Sequence, residues 1–111
     1  MADKTSDVTK EKIQEMQMLQ QRLSIFAAQK QQLQIQHAEI DNALAELNKS
    51  KPPVYQLVGE ILVEKSIDEL KKELREKHEE ADLRIKTIEK QESKTREKAQ
   101  ELQKSVTESM K

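Results

Sequence analysis

Every residue that breaks a helix in this 111-residue chain lies in one short stretch at its middle: Pro52, Pro53 and Gly59 are the only prolines and the only glycine. Residues 1–51 and 60–111 therefore carry no strong local stop, and their apolar spacing decides what they form. On the N-terminal side Met16, Leu19, Leu23, Phe26, Leu33, Ile40, Leu44 and Leu47 recur at steps of three and four, or multiples of them. Lys30 and His37 occupy the same ladder as polar interruptions. This is the seam of a coiled coil. A helix of about 40 residues is roughly 60 Å long at 1.5 Å per residue, longer than any core a chain of this size can build. The composition agrees: 34% hydrophobic, 37% charged, with Phe26 and Tyr55 the only aromatics.

The C-terminal side repeats the pattern. Ser66-Ile67-Asp68-Glu69 matches a capping box, in which Ser and Glu satisfy backbone N–H groups at a helix start. The seam then runs through Ile67, Leu74, His78, Ala81, Ile85, Ile88, Glu92, Thr95, Ala99, Leu102 and Val106, with Leu70 beside it and Lys71 as a further polar member. Glu73–Lys77, Glu80–Arg84, Asp82–Lys86 and Glu92–Arg96 are spaced i,i+4 on the solvated side, each pair contributing about 0.2–0.5 kcal/mol. Two arms of similar length with a short connection predict an antiparallel helical hairpin. Setting Leu47 against Ile67 pairs Leu33 with Ala81, Phe26 with Ile88 and Met16 with Ala99.

The connection itself reads as β structure. Val54, Tyr55, Leu57, Val58, Ile61, Leu62 and Val63 crowd around Gly59-Glu60, which predicts strand, tight turn, strand. A lone two-stranded hairpin is marginal in water, and its open edges invite further strands. The stretch Val54, Tyr55, Leu57, Val58, Gly59, Ile61, Leu62 and Val63 is therefore expected to be an assembly module completed by other chains.

Coiled-coil arm, then PPVYQLVGEILVEKS, then a second arm resembles a β-class prefoldin subunit, whose centre carries a VY-x-x-VG-x-x-LV stretch; Val54-Tyr55, Val58-Gly59 and Leu62-Val63 match it. The resemblance covers essentially the whole chain. It implies a mainly α fold: a long antiparallel two-helix coiled coil joined by a central β-hairpin that assembles with other subunits into a β-barrel. The expected organisation is one prefoldin-like domain over 1–111, with an N-terminal helix at about 7–49, a hairpin at 53–65 and a C-terminal helix at 66–109. It further implies an ATP-independent chaperone subunit, in a hexamer of two α-type and four β-type subunits. That hexamer holds unfolded proteins at its coiled-coil tips and delivers them to a cytosolic group II chaperonin.

The pairing of the arms brings both termini to one tip. Val8, Ile13, Met16, Met18, Leu19, Leu102, Val106 and Met110 are the candidate client-binding residues there, since fraying ends expose apolar seam and Met adapts to many partners. A passive coiled-coil scaffold or adaptor, assembled through the same hairpin but binding one folded partner, is the alternative.

Other functions are not expected. With 20 basic and 21 acidic residues interleaved, and only Lys71-Lys72 as a basic doublet, there is no footprint for nucleic acid. No apolar run is long enough for a membrane span and no secretory signal is read at the N-terminus, so a cytoplasmic location is expected. The absence of cysteine fits a reducing compartment. The glutamine-rich stretch from Gln29 to Gln36 reads as a solvated helix face. There is no Gly-rich phosphate loop and no catalytic constellation, so neither enzyme activity nor a cofactor is expected. His37 and His78 come close in this register, but without cysteine or a carboxylate cluster beside them they read as polar seam residues, not as a metal site.

Overall fold

The computed structural model describes residues 7–110; the outermost positions of the expected 1–111 unit lie outside it. Four elements follow in order: α1 (Asp7–Lys49), β1 (Val54–Val58), β2 (Ile61–Lys65) and α2 (Ile67–Ser109). The chain divides into two compact units, one formed by the chain up to Gln31 and from Lys86 onward, the other by Gln32–Ile85.

In the unit Gln32–Ile85, α1 ends without a glycine. Ser50 substitutes for one: its N–H donates to the Leu47 carbonyl (3.3 Å) and its hydroxyl to the Glu46 carbonyl (2.7 Å), occupying acceptors that the helix end leaves open. Strands β1 and β2 form a two-stranded antiparallel sheet in the register Val54↔Lys65, Tyr55↔Glu64, Gln56↔Val63, Leu57↔Leu62, Val58↔Ile61. The two-residue turn is Gly59-Glu60. Gly59 sits at φ +62° and no non-glycine residue has a positive φ among those described, which is the φ signature of a turn with glycine at its first central position.

The α2 start is fixed by Ser66. Its hydroxyl accepts the Glu69 N–H at 3.1 Å and its carbonyl accepts the Leu70 N–H at 3.1 Å. Asp68 and Glu69 add negative charge to the first turn, where the helix dipole favours it. Ser66→Ala removes the capping acceptor and is expected to destabilise the chain by about 1 kcal/mol, read as a lower thermal midpoint; Ser66→Asp retains an acceptor and is expected to stay near wild type.

Within each unit the two helices run antiparallel. In the first, Lys12 reaches Ser105 and Lys30 reaches Glu92; in the second, His37 reaches Asp82 and Asp41 reaches His78. The apolar ladder faces the partner helix as periodicity predicts: Leu19, Ile40, Leu70, Ala81 and Ile88 are buried, and Met16, Leu23, Phe26, Leu33, Leu44, Leu47, Leu74 and Ile85 are half-buried. No large side chain among the described residues is fully sealed. A seam only two helices wide always leaves one flank of each side chain in contact with water.

Four polar members of the ladder, Lys30, His37, His78 and Glu92, find partners across the seam. Glu92, 6% exposed, accepts from Lys30 Nζ at 2.7 Å. Glu73 takes Lys65 Nζ at 3.0 Å, and Asp82 faces the two histidines. Of the four expected i,i+4 pairs, Glu80–Arg84 is formed at 3.0 Å, while Glu73, Asp82 and Glu92 turn to these more distant residues. For Asp82 and Glu92 the reason is magnitude: a solvated i,i+4 pair is worth about a few tenths of a kcal/mol, whereas a charge in the half-buried seam needs a partner there. Glu73 instead pairs with Lys65 at the end of β2.

Candidate functional site

The hairpin presents more apolar surface than it covers. Leu57 and Leu62 are each 66% exposed and Ile61 is 67% exposed; Tyr55, Val58 and Val63 are exposed as well, and Val54 is half-buried. The pleat sorts these residues onto opposite faces. Leu57 and Leu62 pair on one face with Tyr55 next to them; Val58 and Ile61 pair on the other with Val63 next to them. Both faces of the sheet are thus apolar, and each strand has one unpaired edge. A solvated sheet shows one polar face, so a sheet apolar on both sides has the character of one sandwiched between layers.

The second apolar surface lies at the helix ends in the other unit. Val8 (58%), Met18 (55%) and Met110 (59%) are exposed. Ile13, Met16, Leu102 and Val106 are half-buried, and Leu19 is buried at 3%. The eight candidates therefore fall into two groups, three already at the surface and five that close the seam. Lys12 Nζ donates to Ser105 Oγ at 2.6 Å, and Lys98 lies 3.6 Å from Glu15, so polar links brace the same region. Three exposed apolar residues escaped the sequence reading: Ile25, Ile35 and Leu83. They stand between ladder positions, and a helix-face count would have flagged them.

A third feature departs from expectation. The histidines do have carboxylates beside them. His37 and Asp41 are one turn apart on α1, His78 and Asp82 one turn apart on α2, and the four side chains meet between the helices. The imidazole centroids are 3.8 Å apart at 38°. The repeated H-x-x-x-D spacing was the sequence signal, since i and i+4 share a helix face.

An apolar hairpin set between two long antiparallel helices matches one family of known proteins. The family model described as Prefoldin subunit covers residues 10–111. The chain belongs to the prefoldin family. Its relatives are of the β class. The prefoldin subunit beta of Archaeoglobus fulgidus is 40% identical over 93 residues, spanning 82% of this chain and 80% of that protein. The prefoldin subunit beta of Thermoplasma volcanium is 36% identical over 108 residues, spanning 93% of this chain and 86% of that protein. The crystal structure of the prefoldin beta subunit from Thermococcus strain KS-1 superposes with a TM-score of 0.88 at 28% identity, covering all of this chain and 98% of that one. As a prefoldin subunit the chain is a chaperone component and not an enzyme, and it works in a hetero-oligomer with other prefoldin subunits. No helix among the described residues is long and apolar enough to cross a membrane.

Proposed function

We propose that this prefoldin subunit is a β-type member of a hexamer with two α-type and four β-type chains, which captures non-native proteins at its helix ends and passes them to a group II chaperonin in the cytoplasm. The hairpin carries the assembly half of this reading: two apolar faces and two open edges in one small sheet match the needs of a shared β-barrel. The helix ends carry the other half. Val8, Met18 and Met110 offer apolar contact at once. Opening of the last turns, the least stable part of a helix, adds Ile13, Met16, Leu19, Leu102 and Val106 to that surface. Met suits a surface that accepts many sequences, because its side chain is unbranched and polarizable. The cycle needs no nucleotide, in keeping with a sequence whose only glycine lies in the β-turn.

The test is an aggregation assay. A chemically unfolded protein is diluted into buffer with the assembled complex and no ATP. The intact complex is expected to suppress light scattering, and a complex whose β-type chains lack about ten residues at each end is expected to assemble but to lose most of that suppression. Equal suppression by the trimmed complex moves client binding away from the ends. Assembly without suppression by either complex favours the scaffold reading.

A further inference from the structure

The four-residue cluster in the unit Gln32–Ile85 has a geometry that a simple ion-pair layer does not require. Asp41 lies between the two rings on one side: its Oδ1 is 2.9 Å from His78 Nε2 and its Oδ2 is 3.4 Å from His37 Nδ1. Asp82 lies on the other side, with Oδ1 2.8 Å from His37 Nε2 and Oδ2 3.6 Å from His78 Nδ1. Each imidazole thus turns one nitrogen to each carboxylate. His37 Nε2 is sealed from solvent and makes no aligned hydrogen bond despite its short distance to Asp82, so hydrogen bonding leaves the cluster incomplete.

We propose that His37, Asp41 and His78 bind one divalent transition-metal ion of the zinc class, with Asp82 positioning the two imidazoles from behind. One potential ligand atom from each of the three residues lies within 4.8 Å of the others. A four-coordinate zinc ion with ligands at about 2.0–2.1 Å sets neighbouring ligand atoms roughly 3.3 Å apart. The Asp41 carboxylate reaches His78 Nε2 with Oδ1 at 2.9 Å and His37 Nδ1 with Oδ2 at 3.4 Å, so an ion binding there needs only a turn of this exposed carboxylate to take one oxygen and both nitrogens. Two imidazoles and one carboxylate favour zinc, cobalt or nickel over magnesium or calcium, which take oxygen ligands. The Asp41 side chain is 56% exposed, so water has access to the fourth position. With the ion on the Asp41 side, His37 Nε2 is the protonated nitrogen, and a slight turn of the ring as it takes up the metal aligns its N–H with Asp82 Oδ1, 2.8 Å away, giving the carboxylate–histidine–metal arrangement that fixes tautomer and ring orientation. The bound ion joins α1 to α2 within this unit, and because it binds only the folded arrangement it raises stability by mass action.

The full-length chain, stripped with a chelator and held near neutral pH, is titrated with Co²⁺. The expected result is a visible d–d absorption saturating at one equivalent, abolished by Zn²⁺, and a rise in thermal midpoint with Zn²⁺. Asp41→Asn, nearly isosteric and at an exposed position, is expected to weaken binding by at least about tenfold, and Asp82→Asn by about 10–100-fold, the usual effect of removing an outer-shell carboxylate. Circular dichroism of each variant confirms that its helices are intact. No saturable absorption up to millimolar Co²⁺, or unchanged affinity in a folded Asp41→Asn chain, overturns the proposal and leaves the cluster as an ion-pair layer.

Discussion

Replacing Leu57 and Leu62 together by glutamate is expected to abolish assembly with the partner subunits while leaving both helices formed. The two side chains are cross-strand partners on one face of the hairpin and are each 66% exposed in the isolated chain. Burying one leucine contributes about 1.5–3 kcal/mol, so burial of both in the proposed subunit interface would contribute roughly 3–6 kcal/mol. The glutamates forfeit that term and add the cost of desolvating two like charges placed opposite each other. A loss beyond about 4 kcal/mol weakens association more than roughly 10³-fold. Size-exclusion chromatography with light scattering, run beside far-UV circular dichroism, separates loss of assembly from loss of fold. A double variant that still enters the complex would remove the hairpin from the interface.

The second large effect is expected at the seam. Glu92→Ala strips the acceptor from Lys30 Nζ, whose side chain is 29% exposed and rests 2.7 Å from the carboxylate. A charge-assisted hydrogen bond of this kind is worth about 1.5–3 kcal/mol. The thermal midpoint should fall by on the order of 10 °C for a chain of this length. Lys30→Met with Glu92→Leu is expected to recover most of that loss, because an apolar pair of similar volume avoids desolvating both charges. If the double variant is no more stable than Glu92→Ala, the pair is not coupled as drawn. The same comparison tests why a costly pair is kept: a polar contact formed at one height only sets the register of two otherwise similar ladders.

The sequence carried most of the architecture because its two strongest signals are local. Steps of three and four residues place Leu19, Ile40 and Ile88 in the seam whatever the partner helix is, and the structure buries all three. The Ser66 cap and the Gly59 turn are equally local, and both are formed. The polar contacts were less legible. Whether Glu92 meets Arg96 on its own helix or Lys30 across the seam depends on axial register, and so does the meeting of Asp41 with His78. Heptad spacing sets which face a residue occupies but not its height against the other helix to a fraction of a turn. The hairpin's exposure was readable as a surplus of apolar residues over the surface one hairpin can cover. What would cover Leu57, Ile61 and Leu62 was not, since nothing in this chain does so.

The most direct measurement is the native mass of this chain mixed with an α-type prefoldin partner and then purified as a complex. The expected result is a single species holding two α-type and four β-type chains, formed only when both are present. A monodisperse monomer of this chain, with or without the partner, would contradict it, because the two apolar faces and open edges of the hairpin would then have no function in assembly.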